Sequence, residues 1–256
     1  MDLPQNRFKK ALERQPPMLG VWAMSGSPVA AEALGFAGYD FVVLDMEHGP
    51  TDMPRALELL RSMAGTPAEP VVRLPWNDAV VVKQLLDLGA LTLMFPYVQN
   101  AEEARSAVAA TRYPPHGVRG YAGMSRATRY GSVPDYALRS VEETCVIVQL
   151  ETREAIANMA DIARVPGVDC IFVGPGDLSA DMGHIARSDH ADVQSVLAAA
   201  AAECARLGVP SGILAANATQ AADYLDYGYS WVACASDLGL MMGSARADLA
   251  ALKARG

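Results

Sequence analysis

The sequence predicts a (β/α)₈ barrel in a single domain, and three observations carry that reading. Short apolar runs alternate with longer segments of helical period, there are eight such runs, and a length of 256 residues matches one α/β barrel. Nearly continuous apolar strands separated by amphipathic segments describe a parallel sheet covered by helices. A doubly wound open sheet is the alternative built from the same local pattern.

In chain order, the strand-like runs are GVWAMSG (20–26), FVVLDMEH (41–48), PVVRLPW (70–76) and TLMFPYVQ (92–99). TCVIVQLET (144–152), CIFVGPGDL (170–178), PSGILAAN (210–217) and WVACASD (231–237) complete the set. Amphipathic segments occupy 53–64, 79–88, 101–111, 154–165 and 193–207. Gly65, Gly89, Gly167, Gly208 and Gly228 stand where helices are expected to stop. Segment 114–143 breaks the rhythm. It contains PPHGVRGYAGMSRATRYGSVPDY, rich in Gly, Arg and Tyr, and a loop of this length in a compact domain is usually functional. It leads into strand five from the N-terminal rim, so it reads equally as an oligomer contact or as an element near substrate. A lid over the catalytic face then has to come from elsewhere, or from a neighbouring subunit.

A net charge of −8 with acids and bases interspersed argues against a nucleic-acid surface. The N-terminal MDLPQNRFKKALERQPP lacks the apolar core of a secretory signal, and no apolar run reaches membrane-spanning length. Cys145, Cys170, Cys204 and Cys234 show no CxxC spacing. Cys145, Cys170 and Cys234 lie in apolar runs and read as buried residues of a reducing compartment, which makes the expected location cytoplasmic.

In a barrel, catalytic groups come from the C-terminal ends of strands. That rule selects Asp45-Met46-Glu47-His48, then Arg73 with Trp76-Asn77-Asp78, then Gln149-Leu150-Glu151, then Gly174 to Ser179. Glu151 and Asp177 fall at equivalent ends of adjacent strands. Two carboxylates with otherwise open coordination suit a hard divalent ion such as Mg²⁺ or Mn²⁺, although each could instead cap the following helix. His48 is the one histidine at a strand end and, beside carboxylates and near an arginine, is a candidate base; His116, His184 and His190 fall in polar loops and read as solvated. Arg73, inside an apolar strand, needs an anion: a ligand, or a structural partner in Asp45 or Glu47. Only four lysines are present, Lys9, Lys10, Lys83 and Lys253, and none lies on a strand. A Schiff-base mechanism therefore has no candidate nucleophile. No GxGxxG follows strand one and no Walker-type loop occurs, which disfavours nucleotide binding.

From Phe8 to the C-terminal helix the chain resembles the HpcH/HpaI aldolase family. The motifs are LDMEHGP, VVRLPWND, KQLLDLGA, FPYVQNAEEA, TRYPPHGVRG, VQLETREA, FVGPGDLSADMG and GILAAN, in that order. The resemblance implies a metal-dependent aldolase joining a pyruvate-type 2-keto acid to an aldehyde, with Mg²⁺, Mn²⁺ or Co²⁺ on Glu151 and Asp177. It implies Arg73 as oxyanion stabiliser, His48 as general base activated by Asp87, and Gln149, Gly176, Asp177 and Leu214 around the substrate. The family's RGVGSALARAS-like stretch is here Arg119 to Ala127, which leaves Ser125 as the nearest candidate for contact with the substrate carboxylate. Relatives are homo-hexamers that exchange the terminal helix, and the apolar 238–242, opening the helix expected over 238–254, could serve that exchange or close its own barrel. Two other readings remain open. A carbon–carbon lyase acting on acyl-CoA esters would want a basic groove, which only Arg119–Arg129 offers; a small-acid-binding barrel without catalysis would be favoured by an incomplete His, Arg and carboxylate set, and here the set is complete.

Overall fold

The computed structural model describes residues 1–12 and 17–255. Eight parallel strands close into a barrel in chain order: β1 (Met18–Ala23), β2 (Phe41–Asp45), β3 (Glu69–Arg73), β4 (Thr92–Phe95), β5 (Cys145–Leu150), β6 (Cys170–Val173), β7 (Ser211–Leu214) and β8 (Trp231–Ser236). β8 pairs back onto β1, so no sheet edge remains and the open-sheet alternative is excluded. The helices are α1 (Arg7–Ala11), α2 (Pro28–Phe36), α3 (Met53–Met63), α4 (Ala79–Asp87), α5 (Ala101–Thr111) and α6 (Tyr136–Glu143). They continue as α7 (Arg153–Ala157), α8 (Met159–Ala163), α9 (Pro175–Asp181), α10 (Ala191–Leu207), α11 (Ala218–Asp226) and α12 (Asp237–Lys253).

The strands read as nearly continuous apolar runs because both of their faces are covered. Val42, Leu44, Val72, Leu93, Val146, Val148, Ile171 and Ile213 face the helices. Trp22, Phe41, Val43, Met94, Ile147, Phe172 and Trp231 fill the interior. α1 plugs the N-terminal end, where Phe8 meets Phe41 and Trp231 edge-on at 5.4 and 5.3 Å. Bulky interior rings need small neighbours: a Cβ at Gly20 would overlap the Phe41 ring, and one at Gly212 the Trp231 ring. Cys145 and Cys170 are buried as expected and Cys204 is buried as well, while Cys234, also expected to be buried, is half-buried. No helix of the described residues is long and apolar enough to cross a membrane.

Two differences from the sequence reading, and one alternative it left open, bear on function. The apolar run of strand six stops at Val173, because Pro175 starts α9 and fixes a helical φ there. Segment 114–143 is not loop throughout, since its last 8 residues form α6. Where the sequence left α12 free either to close its own barrel or to be exchanged, the helix lies against β1 and β8 with none of its residues buried, and Leu240, Met241, Met242, Leu249 and Leu252 are exposed.

Candidate active site

The catalytic face is built where β2, β3, β5 and β6 end. Asp45 closes β2 with no exposed surface and is the anchor of the site. It accepts hydrogen bonds from Arg73 Nε at 2.9 Å and Nη2 at 2.6 Å, from Trp22 Nε1 at 3.2 Å, and from the backbone N–H groups of Glu47 and His48. Burial pushes this carboxyl up, but the Arg73 hydrogen bonds and charge, with the two N–H groups, hold it below the ordinary carboxylate value. The register explains the pairing, because Asp45 and Arg73 are direct neighbours across β2 and β3. Arg73 also pairs with Glu47 at 2.9 Å and lies 4.8 Å above the Trp22 ring. The structural partner anticipated for Arg73 is thus present twice, and its planar fork is locked in place at the barrel mouth.

Glu151 follows β5 and is almost fully buried. The N–H of Tyr97 donates to its Oε2 at 3.0 Å and Gln149 Nε2 to its Oε1 at 3.0 Å. Tyr97 holds a left-handed backbone, φ 56°, to aim that N–H, a strained choice for tyrosine of the kind found at functional sites. Burial, and after it the negative charges of Glu47 and Asp177, push the Glu151 carboxyl up to about 7. Glu47 is likewise raised, by burial first, with Arg73 and His48 opposing and Asp45 and Asp177 adding to it. Asp177 lies exposed in the first turn of α9.

Neither carboxylate caps a helix. Thr152 caps α7 by accepting from Ala155 N–H, and Gly174 stands at the N-cap of α9 without a side-chain bond. Asp78, by contrast, is used in this way: it accepts from the N–H groups of Val80 and Val81 at the start of α4. Glu47, Glu151 and Asp177 therefore form a cluster of mutually repelling carboxylates against one arginine already engaged by Asp45. A hard divalent cation fits this donor set, because it relieves the repulsion and favours ionised Glu151. The packing fits as well: a Cβ at Gly174 would overlap the Glu151 carboxylate, so only glycine lets that group lie there. Gln149 Oε1 is buried with no hydrogen-bond partner among the described residues, a free acceptor beside the cluster.

His48 is exposed at the same mouth, and its ring has no hydrogen-bond partner among the described residues. Gly176 and Leu214 line a neighbouring cavity of about 720 Å³ together with Ala215, Cys234, Ser236 and Leu240. Asp87 and Ser125 are elsewhere. Asp87 ends α4, which returns to the N-terminal rim, and there it pairs with buried Arg119 at 2.8 Å. Ser125 lies in a turn beside it: the N–H of Ala127 donates to the Asp87 carbonyl, and Ser125 Oγ accepts from Thr128 N–H. Within one chain, then, the strand-end residues come together and these two do not. Helix direction is the reason, since an element that leaves the C-terminal end of a strand finishes at the opposite end of the barrel.

The strand-end rule left Glu47 without a role beyond pairing, and it gave no sign of Tyr97 or Trp22. Glu47 was recoverable as one of the acids of Asp45-Met46-Glu47-His48; the Tyr97 contact is made by backbone and leaves no mark in composition.

A buried arginine facing a carboxylate cluster at the mouth of a (β/α)₈ barrel defines an enzyme suited to stabilising a developing oxyanion. The family model "HpcH/HpaI aldolase/citrate lyase" matches residues 18–243. A 2-dehydro-3,6-dideoxy-6-sulfogluconate aldolase of Pseudomonas putida is 45% identical over 95% of this chain and 96% of its own length. A hydroxypyruvate/pyruvate aldolase of Sagittula stellata is 44% identical over 96% of this chain and 98% of its own. The crystal structure of an HpcH/HpaI aldolase/citrate lyase family protein from Burkholderia cenocepacia J2315 superposes with a TM-score of 0.94 at 39% identity, covering 97% of this chain and 100% of that one. The chain belongs to the HpcH/HpaI aldolase/citrate lyase family and is a carbon–carbon lyase.

Proposed function

We propose that the protein is a metal-dependent aldolase that forms or cleaves the bond between the enolate of a pyruvate-type 2-keto acid and an aldehyde. The observation that carries this is the carboxylate cluster of Glu47, Glu151 and Asp177 beside the locked guanidinium of Arg73. Glu151 and Asp177 would hold the divalent cation, and the all-oxygen donor set favours Mg²⁺, Mn²⁺ or Co²⁺ over ions that prefer nitrogen or sulfur. Bound there, the cation would supply Lewis acidity to the oxygens of the keto acid. Arg73, held by Asp45 and stacked on Trp22, offers N–H donors to the oxyanion of the enolate without having to reorganise. Gln149, Gly176 and Leu214 bound the substrate on the β5 to β7 side. The four lysines all lie on helices, Lys9 and Lys10 tied to Asp169 and Glu143, which leaves no amine placed for an imine.

His48 is the base that takes the methyl proton of the donor. Its partner Asp87, and Ser125 as a contact for the substrate carboxylate, would come from a second subunit whose N-terminal rim covers this mouth. α12, which has no buried residue and is apolar on its exposed surface, supports such an assembly, with the helix exchanged between subunits in a homo-hexamer. Free, largely buried cysteines fit a reducing, cytoplasmic location. The test is a panel of 2-keto acids (pyruvate and hydroxypyruvate first) and aldehydes, assayed with chelator and with each metal restored. Aldol formation only with a 2-keto acid and only with metal is expected; full activity in chelated, metal-analysed protein would overturn the reading.

A further inference from the structure

His184 and His190, read from sequence as solvated loop residues, converge on one another. Their rings stack with centroids 3.7 Å apart and planes 15° from parallel. Between them lies one carboxylate oxygen: Asp192 Oδ2 is 3.6 Å from His184 Nε2 and 3.7 Å from His190 Nδ1. Both separations exceed a hydrogen bond. They approach the spacing of about 3.3–3.4 Å between neighbouring ligands of a tetrahedral ion bound at about 2.0–2.1 Å.

Backbone bonds fix the segment that brings these groups together. His184 N–H donates to the Ser179 carbonyl at 2.7 Å, Arg187 N–H to that of His184 at 2.9 Å, and His190 N–H to that of Arg187 at 2.9 Å. Gln194 Nε2 adds a bond to the Ser188 carbonyl at 2.6 Å. Gly183 and Ala186, with φ of 80° and 59°, make the reversals that this path requires. Chain entropy for bringing the ligands near one another is thus already spent in the fold.

We propose that His184, His190 and Asp192 form a second metal site, taking an imidazole-preferring transition ion such as Zn²⁺. Two neutral imidazoles and one carboxylate form a set that suits Zn²⁺, with water completing the shell, and differ from the all-oxygen cluster at the barrel mouth. Binding requires the two half-exposed rings to turn out of their stack so that both nitrogens point at one ion, and His190 Nδ1 to release its long contact with Asp192 N–H (3.3 Å). A bound ion would tie the turn after α9 to the first turn of α10. Since α9 carries Asp177, occupancy would brace one wall of the active site from outside it.

The test is equilibrium dialysis of chelated protein against Zn²⁺ with Mg²⁺ in large excess, for wild type, His184→Ala, His190→Ala and Asp177→Asn. Both histidine variants are expected to lose one equivalent of Zn²⁺, or to bind it at least about tenfold more weakly, since even partners behind a ligand are worth that much. Asp177→Asn should keep that equivalent. Zn²⁺ should raise the melting temperature of wild type and leave that of the histidine variants unmoved. Equal stoichiometry and affinity in wild type and both histidine variants would overturn the site, as would a wild-type protein binding no more Zn²⁺ than the histidine variants.

Discussion

Glu151 makes the clearest pH prediction. Its carboxyl is held near 7 by burial and by the charges of Glu47 and Asp177, against an ordinary value of 4.5. Between those values the native protein keeps a proton that the unfolded chain has lost. Raising the pH through this window therefore removes stability, and the loss is complete above about pH 7. At about 1.36 kcal/mol for each pH unit, the span from 4.5 to about 7 corresponds to about 3 kcal/mol. With an unfolding entropy of about 2.1 cal/mol/K per residue, that is about 6 °C of melting temperature for this chain. Other carboxylates titrate as well, and Asp45, held low, gains stability as pH rises, so the readout is a difference. Glu151→Gln stays neutral throughout. In chelated protein, wild type should lose about 3 kcal/mol relative to Glu151→Gln between pH 5 and pH 8, measured by thermal or urea unfolding. Saturating Mg²⁺ or Mn²⁺ should abolish the loss, because a cation favours the ionised form. A gap between the two proteins that stays constant from pH 5 to 8 would refute the argument that burial and carboxylate crowding poise this group.

Gly174→Ala places a Cβ in the volume of the Glu151 carboxylate, so Mn²⁺ affinity by calorimetry should fall at least about tenfold while circular dichroism stays native; unchanged affinity would mean Glu151 is not a ligand. Arg73→Ala leaves Asp45 as a buried charge without its partner and should cost about 3–5 kcal/mol in urea unfolding, besides the loss of activity. A loss below about 1 kcal/mol there would show that Asp45 draws its stability from Trp22 and the backbone alone.

The barrel was legible because parallel strands covered on both faces are apolar over most of their length, and β1 to β8 are, with polar residues such as Asp45, Arg73 and Gln149 toward their ends. Its boundaries were less so: GPGDL continues the apolar run of β6 in composition, and only Pro175 betrays the helix. α6 escaped notice since Asp135 precedes it in a left-handed conformation and supplies no side-chain cap. In the site, Arg73, Glu151 and Asp177 followed from the strand-end rule. Tyr97 did not, because a positive φ in tyrosine has no sequence signature. The meeting of His184 and His190 was equally hidden, being made by successive turns that match no helix or strand period. Asp87 and Ser125 came only from resemblance, and the fold sets them at the far rim, where one chain cannot deliver them to His48.

The central claim, that the cation and Arg73 stabilise an enolate while His48 removes a proton, is tested by comparing two routes to the same species. From pyruvate the enolate requires loss of a methyl proton; from oxaloacetate it forms by loss of CO₂ with no proton abstracted. Solvent deuterium exchange into pyruvate, followed by NMR beside oxaloacetate consumption, separates the two in wild type and His48→Ala. His48→Ala should lose exchange by roughly 10²-fold or more and retain most decarboxylation, while Arg73→Ala should impair both. If folded, metal-loaded His48→Ala loses both activities equally, His48 positions substrate or metal and the account of the base is wrong.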